Sequence, residues 1–60
     1  MQPIMEINLH GDKYWYLNGR LHREDGPAVE HANGLKFWIL DDIEYSEEEY
    51  WNKVKTTYEL

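Results

Sequence analysis

The residues of this chain that could carry chemistry are three histidines and one dense charged run. His10, His22 and His31 bear imidazoles, which suit zinc or nickel when a carboxylate lies close by. Their spacing matches no standard ligand pattern, so they read as structural or solvent-facing groups, His22 foremost as structural because it belongs to a repeated motif. The run His22-Arg-Glu-Asp25 sets an imidazole, a guanidinium and two carboxylates in sequence, as an acid/base cluster would. Catalytic carboxylates need a pocket that shifts their pKa, and a turn flank in a 60-residue chain rarely supplies one. The run therefore reads as a turn with a local ion pair. No nucleophile elbow, phosphate loop or paired-glycine fingerprint is present. With no cysteine there is neither a thiolate metal site nor a disulfide staple. The expectation is a non-enzymatic protein without metal or cofactor.

Recognition chemistry is better represented. Nine aromatic residues, three Trp, five Tyr and one Phe, give large contact area for few rotatable bonds. They supplement the thin core of so short a chain, supply a contact surface, or do both. Tyr14, Tyr16, Phe37 and Trp38 are the expected anchors of a partner surface. Twelve acidic against six basic residues leave a formal charge of −6, which repels phosphate backbones and excludes direct nucleic-acid binding as the first reading. Half of the acids fall within residues 41–49. Of these, Asp41, Asp42, Glu44 and Glu47 are expected to rim the aromatics and steer a basic partner, although carboxylates there also solvate a turn and favour a helix N-terminus. No apolar run has the length of a signal peptide or a membrane span, so the reading is a cytoplasmic protein.

Those residues have to be positioned by short elements. Gly11-Asp-Lys-Tyr-Trp-Tyr-Leu-Asn18 returns as Gly34-Leu-Lys-Phe-Trp-Ile-Leu-Asp41, with Gly, Lys, Trp and Leu at the same offsets 23 residues on. A recurrence of that kind is one supersecondary unit used twice and stacked on itself. Alternation predicts a half-buried strand over residues 4–10, with Ile7 and Leu9 on one side. Further strands are expected at 13–17, 20–23, 28–31, 35–40 and 43–45. Asn18-Gly19 is a favoured two-residue hairpin turn, Asp25-Gly26-Pro27 breaks the ladder, Asn33-Gly34 turns again, and Asp41-Asp42 stands where the first copy has Asn-Gly. Ser46 with Glu49 forms a capping box that opens a helix over residues 47–58. Its apolar stripe is Tyr50, Trp51, Val54 and Tyr58. One helix covers one face of a sheet, yet Trp15 and Leu17 oppose Tyr14 and Tyr16, and Trp38 and Leu40 oppose Phe37 and Ile39. One aromatic face is left over, the mark of a partner or dimer surface.

The stretch Trp15-Tyr-Leu-Asn-Gly-Arg-Leu-His-Arg-Glu-Asp-Gly-Pro-Ala28, with Asn33-Gly34 and Trp38, resembles the repeats of small phage and giant-virus proteins. Those carry a Trp-Tyr-Leu-Asn-Gly, His-Arg-x-Asp-Gly-Pro-Ala pattern and are similar to MORN repeats. The resemblance spans about residues 11–45, and Glu44-Tyr-Ser-Glu-Glu-Glu-Tyr-Trp51 is similar to the helical cap that ends such arrays. It implies a row of β-hairpins engaged in protein contacts, self-association or phospholipid binding rather than catalysis. Arg23 and Asp42 stand where MORN repeats carry glycine. Six scattered basic residues offer little to anionic headgroups, so the protein-contact branch is carried forward.

The combined expectation is a β+α fold: an antiparallel β-meander of about five to six short strands followed by one C-terminal helix. Residues 1–60 form a single domain, with repeat units at about 11–33 and 34–45 and a helical cap at 46–58. The expected function is a small protein-binding module, phage-encoded on the resemblance, that occludes a host or defence protein in the host cytoplasm, a basic nucleic-acid-binding enzyme being one such target. A homodimer is the companion expectation. A structural homo-oligomer and an acidic nucleic-acid mimic are the alternatives.

Overall fold

The computed structural model describes residues 2–58. Six strands precede one helix: β1 (Ile4–Ile7), β2 (Lys13–Leu17), β3 (Arg20–Leu21), β4 (Val29–Glu30), β5 (Lys36–Leu40), β6 (Ile43–Tyr45) and α1 (Glu47–Thr57). Every pairing is antiparallel, in the order β1-β2-β4-β5-β6, with β3 lying against β2 beside β4. The expected meander closed by a C-terminal helix is the architecture found.

β3 and β4 are two pieces of one interrupted strand. Leu21 faces Tyr16 and Val29 faces Tyr14, so both run along the same edge of β2. Trp15 sits at the gap, where its N–H donates to the Ala28 carbonyl at 2.8 Å and its carbonyl accepts from the His22 N–H at 3.0 Å. The chain leaves the sheet after His22 and returns at Ala28, opposite the same residue. This excursion is why the strands expected at 20–23 and 28–31 contract to two residues each. Pro27 has no N–H to give a ladder. A Cβ on Gly26 would come within 2.8 Å of the Arg23 guanidinium carbon, so a side chain there would displace the guanidinium from its partners.

β1 is also shorter than the alternation suggests. The Asn8 side-chain carbonyl accepts the N–H groups of His10 and Asp12, at 2.9 and 3.0 Å, and this local turn ends the strand at Ile7. Leu9, expected on the buried side, is fully exposed. Asp12 then ties the turn to the loop that follows β4: one carboxylate oxygen accepts from the Ala32 N–H at 2.8 Å, and the other accepts from the Asn8 amide at 3.0 Å. These two bonds, in that order, hold the Asp12 carboxyl below the usual carboxylate range, with His31 nearby adding to the effect. The stabilisation they give is present above the ordinary carboxylate value and is lost as pH falls through the lower folded value. Asp12→Asn is therefore expected to flatten the decline in melting temperature as pH falls below the ordinary carboxylate range, read from thermal melts of both proteins.

The 23-residue recurrence is a recurrence of backbone. Gly11 and Gly34 have φ of 86° and 97°, and Asn18 and Asp41 have 54° and 50°. The Leu17↔Arg20 pair of the first hairpin returns as Leu40↔Ile43, and Tyr16↔Leu21 as Ile39↔Glu44. At the second turn position Gly19 has φ 79°, and Asp42 takes φ 66° in its place. A left-handed aspartate is costly, and here it is compensated: Asp42 Oδ1 accepts from the Leu21 N–H at 2.8 Å while its own N–H donates to the Leu21 carbonyl at 3.0 Å. The second hairpin is thereby tied to the first.

Where the second copy would repeat the excursion after His22, the helix starts instead, Ser46 and Glu47 standing 23 residues after Arg23 and Glu24. Ser46 Oγ accepts from the Glu49 N–H at 3.2 Å, and Glu49 Oε1 accepts from the Ser46 N–H and hydroxyl at 3.4 and 3.1 Å. Glu47, Glu48 and Glu49 fill the first turn, where the helix dipole favours negative charge. Ser46→Ala should lower stability by about 1 kcal/mol through loss of the cap, measurable by urea denaturation. Of the expected apolar stripe only Tyr50 and Val54 are buried; Trp51 and Tyr58 remain more than a third exposed. The core is accordingly split between the two faces of the sheet. Leu40, Tyr50 and Val54, flanked by Trp38 and Tyr45, fill the helix side, whereas Ala28, Val29 and Ile39, flanked by Tyr14, Leu21 and Phe37, form the other cluster.

Candidate protein-binding face

Cross-strand partners share a face, so the register assigns each expected anchor to a side. Tyr14 pairs with Glu6 and Val29, Val29 pairs with Phe37, and Tyr16 pairs with Ile4 and Leu21. Tyr14, Tyr16 and Phe37 therefore lie on the face that α1 does not cover, each partly buried. Their rings form a chain through a residue expected only as a bystander, His31. Tyr14 and Tyr16 stack at 6.5 Å between centroids, Tyr14 meets His31 edge-on at 6.1 Å, and His31 meets Phe37 edge-on at 5.6 Å. His31 Nδ1 lies 3.3 Å from Asp12 Oδ1, which orients the ring. Strand alternation held the clue, because His31 stands two residues beyond Val29 and so falls on the same side.

Trp38 departs from this group. It pairs with Tyr45 and lies under the helix, 5.1 Å from the Tyr50 ring and 5.7 Å from the Trp51 ring. Its role is to seat α1. The acids divide likewise. Glu44, opposite Ile39, is exposed on the aromatic face, as is Glu6 opposite Tyr14, so one carboxylate stands on each outer strand of that face. Asp41 and Asp42 are exposed at the β5–β6 turn and are engaged with the first hairpin. Glu47 belongs to the first turn of the helix.

The charged run His22-Arg-Glu-Asp25 is built into the excursion loop. His22 is 2 % exposed; its Nε2 is 2.7 Å from Glu24 Oε2, and its Nδ1 accepts from the Asp41 N–H at 3.1 Å. With its proton on Nε2 the ring donates to Glu24 and accepts from the Asp41 N–H, and Asp41 Oδ1 also lies 3.2 Å from Nδ1. The Arg23 guanidinium lies 3.9 Å from the centroid of the Trp15 ring. It donates to Asp25 at 2.9 Å, to Glu30 at 3.0 Å and to the Pro27 carbonyl at 3.1 Å. Tyr50 closes the loop from the helix side, its hydroxyl donating to the Arg23 carbonyl and accepting from the Gly26 N–H at 3.3 Å. These groups satisfy one another, which is the geometry of a structural brace. His10 is exposed on the Asn8 turn, and among the described residues no group of three histidine, cysteine or acidic side chains is disposed to hold a metal ion.

No helix among the described residues is long and apolar enough to cross a membrane. Comparison of the chain with protein-family models, with curated proteins and with solved structures finds no match.

Proposed function

We propose that the protein is a non-enzymatic binding module that covers a basic surface on another protein with the sheet face opposite its helix. The observation that carries this reading is the ring chain Tyr14, Tyr16, His31 and Phe37, left uncovered by α1 and flanked by Glu6 and Glu44. Large rings with wet polar tips supply contact area at small entropic cost, and carboxylates at the margin orient a cationic partner and speed its approach. The net charge of −6 acts in the same sense. A phage-encoded inhibitor of a host or defence protein is the biological setting that the repeat resemblance suggests for such a module.

The test is affinity capture from a bacterial lysate with the wild-type protein beside a Tyr16→Ala, Glu44→Lys double variant. Tyr16 lies outside both buried clusters, so the variant should remain folded by circular dichroism. A stoichiometric partner bound by the wild type is expected to bind the variant about 30-fold or more weakly. Undiminished capture by the folded variant would assign binding to another surface. β1 favours a second reading, because Ile4, Met5 and Ile7 are exposed on an edge strand that another chain could extend. A wild-type dimer in sedimentation, with no retained partner, would make self-assembly the function of the exposed surfaces.

A further inference from the structure

Beside the helix lies a cleft of about 360 Å³, lined by Gln2, Pro3, Glu24, Asp25, Trp51, Val54 and Tyr58. Its walls combine two chemistries. Trp51 and Tyr58 are large rings that the fold leaves 39 % and 38 % exposed although both belong to the helix's apolar stripe. Glu24 and Asp25 are carboxylates that are each engaged through one oxygen, Glu24 with His22 and Asp25 with Arg23. Among the described residues, neither second oxygen has a hydrogen-bond partner. Val54 and Pro3 add apolar surface.

We infer that this cleft binds an organic cation, a guanidinium or ammonium group carried on an aliphatic stem as in an arginine or lysine side chain. Aromatic faces attract such cations, the second carboxylate oxygens of Glu24 and Asp25 can accept their N–H groups, and the apolar lining takes the stem. An anion would meet Glu24 and Asp25, with Asp41 close behind. The Arg23 guanidinium beside Asp25 is already committed to Asp25, Glu30 and the Pro27 carbonyl. The Tyr58 hydroxyl responds to this field: burial first, and then the charges of Asp41 and Glu24, push its pKa above the ordinary phenol value. The walls are also braced, since Tyr58 stands edge-on to His22 at 5.5 Å and His22 holds Glu24, while Trp51 packs against Trp38 and Tyr50. None of Tyr14, Tyr16 and Phe37 lines the cleft, so the inference stands or falls separately from the sheet-face proposal.

The experiment is an NMR titration of the full chain with N-acetyl-arginine amide, N-acetyl-lysine amide, agmatine and the uncharged N-acetyl-citrulline amide. Saturable shifts are expected at the Trp51 indole N–H and the Tyr58 amide with the cations, and none with citrulline. Glu24→Gln combined with Asp25→Asn should weaken binding about tenfold, both amides still being able to accept from His22 and Arg23. Glu47→Gln combined with Glu48→Gln, which removes the same charge outside the cleft, should leave it unchanged. Tighter binding of the capped residues upholds the site and assigns it to a protein side chain; tighter binding of agmatine upholds it and assigns it to a free amine. Non-saturating shifts, equal response to citrulline, or equal weakening by the two double variants would overturn it.

Discussion

Trp38→Ala is expected to destabilise the protein by about 3 to 5 kcal/mol, the range for truncating a large aromatic in a packed core. The indole is the piece of sheet on which the helix rests: Tyr50 and Trp51 pack against it, and Leu40, Tyr45 and Val54 complete the cluster. A 60-residue domain has roughly 3 to 9 kcal/mol in all, so the variant should be largely unfolded or close to it at physiological temperature. Urea denaturation followed by far-ultraviolet circular dichroism is the measurement. A variant that stays folded and melts within a few degrees of the wild type would show that Leu40 and Val54 seat the helix alone. This placement also bears on function. Truncating Trp38 removes the platform of α1, so loss of binding in that variant would report on folding, whereas Tyr16 belongs to neither buried cluster.

The meander, the hairpin turns and the helix start were legible because each rests on local chemistry. Asn18-Gly19 demands positive φ, Ser46 and Glu49 satisfy each other's backbone groups, and both features stand where the residues put them. The turns of the 23-residue recurrence were equally legible, since matched turn residues favour matched backbone, and positive φ recurs at Gly11 and Gly34, Asn18 and Asp41, and Gly19 and Asp42. What local chemistry could not convey was the fate of residues 22–28. A proline and a glycine announce a break, but that the chain departs and returns opposite the single residue Trp15 is decided by contacts from β2, β5 and α1. The division of the aromatics was half legible. Alternation separates Tyr14 and Tyr16 from Trp15, and Phe37 from Trp38, yet which side receives the helix depends on Tyr50 reaching across 24 residues to Gly26. Trp38, an expected anchor of the partner surface, lies under α1 for that reason. The cleft formed by Glu24, Asp25, Trp51 and Tyr58 joins segments distant in sequence and had no local signature.

Tyr50→Phe tests the long-range tie directly, and it is expected to cost about 2 to 3 kcal/mol for the loss of one oxygen atom. The side chain is fully buried, so the ring itself would stay in place against Trp38 and Trp51. What disappears is the hydroxyl that gives its proton to the Arg23 carbonyl and receives the Gly26 N–H. Both backbone groups would be left without that partner at the sheet–helix junction, where a missing hydrogen bond costs more than it does in water. The loss should be local as well as global: amide exchange at Gly26 should accelerate more than exchange in β5. Alkaline pH supplies an independent check. Burial raises the Tyr50 phenol above its ordinary value, so its contribution is complete below about pH 10 and is lost as pH rises through the folded value, because the unfolded chain ionises first. The Phe variant should lack that share of the alkaline decline and keep the share due to Tyr58. Unchanged stability and unchanged exchange at Gly26 would place the hold on the excursion loop with Arg23 alone, through its contacts to Asp25, Pro27, Glu30 and Trp15.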